Sequence, residues 1–231
     1  MSAGMTVGII VAMDKEHALV AQLLESRSER TVSGWSFVEG RLGARRVVLL
    51  KSGIGKVAAA VGAAELIRAF NPDCIINSGV AGALDASVGV ADVVAADRTV
   101  YHDVDCGCDN PYGCVQGFPL YYPADARLLD AFQRLKLEAK THIGLVCSGD
   151  RFVSQPSDLH AIKNHFPEAL AVDMESCAIA QVCHMYGVPF LSLRVVSDTP
   201  GVNDHYKQYF DFWEVAPERS FTVLRRLLEN L

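Results

Sequence analysis

The sequence predicts an α/β fold. We expect a single-domain three-layer sandwich, with a twisted, mostly parallel or mixed central sheet and helices on both faces. Two observations predict it. Apolar runs of strand length alternate with longer amphipathic stretches along all 231 residues, and that alternation builds a sheet covered by crossover helices. Half of the residues are hydrophobic (50%), enough for a core on each side of one sheet. No repeat, low-complexity tract or linker divides the chain, so residues 1–231 read as one domain.

The elements follow in order. Thr6–Met13 (TVGIIVAM) reads as a buried strand, and Lys15–Leu24 as a helix with Ala18, Leu19, Gln22 and Leu23 at helical spacing. Two short strands lie around Trp35–Glu39 and Arg46–Lys51. Gly53-Ile54-Gly55 turns the chain into an Ala-rich helix, Lys56–Phe70, that stops before Pro72. Cys74–Ser78 and Ala91–Val100 read as strands, Asp125–Leu137 as a helix, Ile143–Ser148 as a strand and Leu159–His165 as a short helix. A strand at Ala171–Val172 enters a helix from Glu175 to Tyr186. Pro189–Val196 is the last strand and Trp213–Leu228 the last helix. Cys106–Pro123 lacks periodicity and is broken by Gly107, Pro111, Gly113, Gly117 and Pro119. It reads as a long loop, of the kind that is often functional.

Charge and cysteine usage narrow the class. A net charge of −6 argues against a nucleic-acid or anionic-membrane surface. The apolar run Met5–Met13 ends at Asp14, far short of the ~20 residues of a spanning helix. No basic residue precedes it, so it does not read as a secretory signal. Seven cysteines form no paired framework and read as reduced thiols in the cytoplasm.

Polar groups gather at the strand ends, where ligands bind in α/β sheets. After the first strand there is no G-x-G-x-x-G, and no Walker A sequence occurs anywhere. A nicotinamide or nucleoside-triphosphate enzyme is therefore not expected. Asp14-Lys15-Glu16 stands there instead, either to complement the helix dipole or to supply a general acid or base. Ser52-Gly53-Ile54-Gly55-Lys56 is a tight turn or a place of close ligand approach. Asn77-Ser78-Gly79-Val80-Ala81-Gly82-Ala83 leaves room for a ligand or for close packing. Asp173-Met174-Glu175-Ser176 is a helix cap or an acidic pair suited to a sugar diol. Arg194-Val195-Val196-Ser197-Asp198 ends in a turn, or in a carboxylate able to meet a base.

Together these segments resemble the nucleoside phosphorylase/nucleosidase superfamily, and within it the 5′-methylthioadenosine/S-adenosylhomocysteine nucleosidases. The resemblance runs from Val7 to about Leu228. It is carried by GIIVAMDKE (Gly8–Glu16), LLKSGIGKVAAAVGA (Leu49–Ala63), PDCIINSGVAGAL (Pro72–Leu84), YHDVD (Tyr101–Asp105), SGDRFV (Ser148–Val153), AVDMESCAIAQVC (Ala171–Cys183) and RVVSD (Arg194–Asp198). It implies hydrolysis of the N-glycosidic bond of methylthioadenosine and S-adenosylhomocysteine, with no metal or organic cofactor. Glu16 matches the acid/base that positions water, and Asp198, with Ser197 beside it, the residue that protonates the purine at N7. Met174 and Glu175 match the ribose-binding pair, and Asp173 precedes them in the same acidic motif. Arg194 matches a residue near the sugar and the water. Phe152 matches the ring that stacks on adenine, and the Val153 backbone its edge contact. Met13, Ile54, Ala81 and Gly82 match pocket walls, and either Tyr209 or Phe210 an aromatic at the mouth. The loop Tyr101–Pro123, rich in aromatics, is implied to reach a partner's site in a homodimer.

The chain departs from the family at Val80, where relatives often carry a hydroxyl near the water, at Asp173 in place of Glu, and at Arg151 beside Phe152. These departures keep other readings open: phosphorolysis, hydrolysis of a futalosine-type menaquinone precursor, or nucleoside binding without turnover. Cys106, Cys108 and Cys114 with His102, Asp103 and Asp105 lack zinc-like spacing and read as a loop of free thiols. No metal is expected.

Overall fold

The computed structural model describes residues 4–107, 109–202, 204–215 and 217–231. In chain order it contains β1 (Thr6–Val11), α1 (Asp14–Gln22), β2 (Glu25–Val32), β3 (Trp35–Leu42), β4 (Arg45–Lys51), α2 (Lys56–Phe70), β5 (Cys74–Ala83), β6 (Val93–Tyr101) and β7 (Tyr122–Pro123). There follow α3 (Ala126–Gln133), β8 (Thr141–Ser148), α4 (Pro156–His165), β9 (Ala169–Asp173), α5 (Ser176–Tyr186), β10 (Phe190–Asp198), α6 (His205–Val215) and α7 (Pro217–Asn230).

One mixed sheet joins all ten strands in the order β10-β6-β8-β9-β5-β1-β4-β3-β2, with β7 on β6. The most apolar strands, β4, β1, β5 and β10, run parallel to one another, as strands buried on both faces should, while β3, β9 and β6 join them antiparallel. One face packs β1 and β10 against α1, α3, α6 and α7 around Leu128, Phe212 and Leu224. The other packs against α2 and α5 around Leu66 and Ile179.

Half of this sheet curls shut. β10 pairs with β5 as well as with β6, and β9 returns to β5 through Gly82↔Val172 and Ala83↔Ala171. Irregularities after Val196, Ala96 and Leu145 bend the strands enough to close the ring. Small residues from all five strands, among them Ala81, Ala96, Val146, Ala171 and Val196, pack together inside it. The expected layers are therefore present, and part of the middle layer is a small barrel.

Three expectations of element length change. β2 (ESRSERTV) was not expected. It is exposed except at Val32, pairs only with β3 across the Ser33-Gly34 turn, and carries alternating charges that suit an exposed edge. β5 runs on past Ser78 because β10 pairs with it to Gly82. The single expected helix Trp213–Leu228 is two helices, with Pro217 at the start of the second, a position proline favours.

Candidate active site

The ends of β1, β5, β9 and β10 meet at one open cavity, whose empty space, solvent-filled mouth included, is about 610 Å³. Every residue expected in the site lines it, with one exception. Met13, Glu16, Ile54, Val80, Ala81, Gly82, Phe152, Val153, Asp173, Met174, Glu175, Arg194, Ser197, Asp198 and Tyr209 all do. Phe210 does not: its side chain is 63% exposed, whereas the Tyr209 hydroxyl donates to the Met13 Sδ (3.5 Å). Of the two aromatics, Tyr209 is the one that lines the cavity. Ala12, Val172 and Arg151 complete the wall.

Glu16 stands in the first turn of α1, yet it is only 1% exposed. One oxygen accepts the amides of Ala12 (2.9 Å) and Met13 (3.0 Å), and the other that of Val80 (3.1 Å). The carboxylate thus accepts amides at the start of α1 and at the same time lines the cavity. Its neighbour Asp14 is the plain surface acid, paired with Lys51 (2.5 Å). Burial pushes Glu16 above the usual carboxylate range, against the pull of Arg194 and the three amides.

Asp198 ends β10 opposite Gly82. The bulge after Val196 re-aims its side chain. Ser197 Oγ donates to its Oδ1 (2.6 Å) and fixes the carboxyl plane.

Arg194 is the hub. It is 1% exposed and sits under the cavity floor. Nε meets Asp173 Oδ2 (2.7 Å), and Nη2 reaches Ser176 Oγ (3.0 Å), Asn77 Oδ1 and Glu175 Oε2 (3.7 Å). Nη1 donates to the Val80 carbonyl (3.4 Å). Gly79 makes room for this crossing: a side chain there would collide with both the guanidinium and the Glu16 carboxylate.

The two carboxylates of the acidic pair separate in role. Asp173 turns inward. Its Oδ1 accepts Ser148 Oγ (2.5 Å) and the amides of Glu175 (3.2 Å) and Ser176 (3.1 Å), while Oδ2 takes Arg194 and Ser176 Oγ. It accepts amides at the start of α5 and holds the guanidinium, so both its oxygens are engaged within the protein. Glu175 Oε1 accepts the Gly55 amide (3.0 Å). Burial pushes it up to about 7, with Arg194 lowering it and Asp173 opposing.

Phe152 stands half-exposed at the rim, near-parallel to Tyr206 and edge-on to Tyr209, both at 5.8 Å. Arg151, also on the wall, is tied to Asp158 (2.7 Å).

Within the chain, the loop is partly packed. Tyr112 stacks on His165 (3.8 Å) and joins Leu120 and Tyr121 on the α4 side, while Phe118 and Tyr122 pack towards α5. Tyr122 is buried, and Tyr112, Phe118, Leu120 and Tyr121 each keep part of their surface open. Cys106 is exposed and Cys114 buried, while Cys108 lies outside the described residues. Among the described residues, no group of three His, Cys, Asp or Glu side chains could hold a metal ion.

The cavity therefore gathers four buried carboxylates, those of Glu16, Asp173, Glu175 and Asp198, and one buried guanidinium that faces the first three. Such a site welcomes developing positive charge and disfavours a second anion.

Comparison with known proteins agrees with this chemistry. The family model described as the phosphorylase superfamily matches residues 6–229. The chain is 37% identical to the 5′-methylthioadenosine/S-adenosylhomocysteine nucleosidase of Aeromonas salmonicida (strain A449), over 98% of this chain and 100% of that protein. It is similar to the structure of the nucleosidase of that name from S. pneumoniae with the transition-state inhibitor MT-ImmA, at 39% identity and a TM-score of 0.92, covering 98% of this chain and 99% of that one. It is also similar to the nucleosidase of Colwellia psychrerythraea 34H in complex with adenine, at 33% identity and a TM-score of 0.93, covering 99% and 96%.

Proposed function

The chain belongs to the phosphorylase superfamily, and on that premise we propose that it is a nucleosidase. It hydrolyses the N-glycosidic bond of methylthioadenosine and S-adenosylhomocysteine, releasing adenine and the thioribose. The observation that carries this is the anionic cavity, whose carboxylates are brought together from α1, β9, the start of α5 and β10. Glu175 accepts from the ribose hydroxyls and offsets the positive charge that develops on the sugar as the C1′–N9 bond breaks. Its electron pair leaves with adenine, and Asp198 delivers a proton to N7. Glu16 orients a water towards C1′ and takes its proton, and solvent returns that proton to Asp198. Phe152 is the base platform and the Val153 backbone the edge contact, while Met13, Ile54 and Tyr209 enclose the 5′ group. Asp173 and Arg194 hold the carboxylates in register.

Phosphorolysis would need a cationic site for phosphate. The buried Arg194 is already paired with Asp173, and Glu16 would repel the anion. We expect adenine release from methylthioadenosine and S-adenosylhomocysteine at a rate that added phosphate does not change. Assays with aminodeoxyfutalosine set the remaining alternative beside these two. Strict phosphate dependence, or stoichiometric binding with no adenine released, would overturn the reading.

The same reading extends to assembly and compartment. Ile54, just before α2, and Val57 and Val61 on α2 are 58%, 75% and 46% exposed, an apolar patch of the kind that marks an interface. The loop 101–123 adjoins it through Lys56 and Asp103 (2.8 Å). We assign this face to a two-fold homodimer, with α2 at its centre and the loop alongside. Sedimentation at micromolar concentration should give twice the chain mass, and Val57→Glu with Val61→Glu should give monomers of low activity. A wild-type monomer that is fully active counts against it. Among the described residues no helix is long and apolar enough to cross a membrane. Cys74, Cys147, Cys177 and Cys183 are separate buried thiols, which suits a reducing cytoplasm.

A further inference from the structure

A closed ring of polar contacts lies just outside the cavity and has no part in the chemistry described so far. Helix α2 begins at Lys56, and its cap residue, Gly55, has no side chain and a φ of 93°. The cap is supplied from 94 residues away: Asp150 Oδ1 accepts the Lys56 amide at 2.7 Å. Gly55 is needed beneath it, since a Cβ there would come within 2.9 Å of that oxygen. Asp150 is held in turn by Asp103, whose Oδ2 accepts the Asp150 amide (2.8 Å). Asp103 also takes the Lys56 ammonium on both oxygens (2.9 and 2.8 Å), which closes the ring. None of the three side chains lines the cavity.

We propose that Asp150, seated by Asp103 and Lys56, is a positioning residue for the active site. It locks the Gly53–Lys56 turn so that the Gly55 amide stays on Glu175, and it ties that turn to the strand end that carries Phe152. One ring thereby sets the distance between the sugar carboxylate and the base platform. The inference rests on the reading of Glu175 as the ribose carboxylate.

The groups that face Glu175 are Arg194 from β10, Asp173 from β9, Glu16 from α1, Tyr209 from α6 and the Gly55 amide at the start of α2. Arg194 and the amide favour the ionised form, whereas burial, Asp173 and Glu16 oppose it. Loosening the turn removes one of the two favourable partners, so Glu175 should then ionise at higher pH.

The test compares Asp150→Ala, Asp150→Asn and Asp103→Ala with the wild type. It reads kcat/KM for adenine release against pH, the carboxyl 13C titration of Glu175 in labelled protein, and the melting temperature. Asp150→Ala should lose about tenfold in kcat/KM, and both the acid limb and the Glu175 midpoint should rise by about half a pH unit or more. Asp103→Ala should move both the same way by less. Asp150→Asn keeps an oxygen for the Lys56 amide and should recover most of each. An activity loss that tracks melting temperature while Glu175 titrates at the wild-type midpoint would reduce Asp150 to an ordinary helix cap and overturn the proposal. Unchanged activity in both alanine variants would overturn it too. Should Asp150→Ala not fold, Asp103→Ala and Asp150→Asn carry the comparison. A wild type that releases no adenine defeats the functional reading alone, because the Glu175 titration still tests the ring.

Discussion

Asp198→Asn should lower kcat by roughly 10²–10⁴, the range that proton transfer to a leaving group contributes, and leave the melting temperature nearly unchanged. The substitution is a clean one here. Ser197 Oγ is the donor to Asp198 Oδ1 at 2.6 Å, and an asparagine oxygen can accept the same bond. What is lost is the proton that a carboxyl can give and an amide cannot. Because adenine then departs unprotonated, the loss belongs to the transition state and KM should change little. Glu16→Gln offers a contrast. Its two oxygens accept three backbone amides between them, so the new NH₂ must face at least one donor, at a cost of ~1–3 kcal/mol. That variant should lose both turnover and stability. Steady-state kinetics beside thermal melts separate the two. Near-normal turnover in a folded Asp198→Asn protein would remove Asp198 from the role of acid.

What could be read in advance, and what could not, follows from where the information lies. β1, β4, β5 and β10 announce themselves because a strand buried on both faces is a continuous apolar run. The strand-end motifs announce the cavity because small residues and carboxylates have few other reasons to gather there. β2 is invisible, since ESRSERTV carries no apolar alternation and becomes a strand only by pairing with β3. The division of labour between Asp173 and Glu175 is equally hidden. Both stand in one tetrapeptide, and only the packing of Arg194, which arrives from β10, draws Asp173 inward. The loop is legible only in part. Its aromatics signal a demand for burial, but sequence cannot say how much of the surface that meets it belongs to the same chain. Here α4, α5 and their neighbours cover part of it, and the surface left open on Tyr112, Phe118, Leu120 and Tyr121 lies on the same side of the question as the exposed patch of α2.

Arg194→Met should cost the protein several kcal/mol, with a pH dependence that identifies the cause. Among the described residues, the guanidinium is the cation that opposes Asp173, Glu175 and Glu16 at the cavity floor, and all four groups are buried. Removing one partner of such a set leaves uncompensated buried charge, at ~3–5 kcal/mol, a large part of the ~5–15 kcal/mol that holds a domain of this kind together. The sign with pH follows from the raised acids. Glu175 sits at about 7 in the folded chain against an ordinary 4.5, and Glu16 is raised as well. A carboxyl raised on folding contributes stability that is fully present below its unfolded value and is lost as pH rises through the folded one. The wild type should therefore lose stability from these groups between about pH 4.5 and 7. Without Arg194 both acids rise further, so the deficit of Arg194→Met should be smallest near pH 5 and largest above pH 7. Glu175→Gln makes the complementary case. It removes the ionisation while keeping an oxygen for the Gly55 amide, and should be more stable than the wild type at pH 8 by on the order of 1–3 kcal/mol, though inactive. Thermal melts of the three proteins at pH 5 and pH 8 decide the matter. An Arg194→Met deficit that is equal at both values would mean that lost packing, and not stranded charge, is what the arginine prevents.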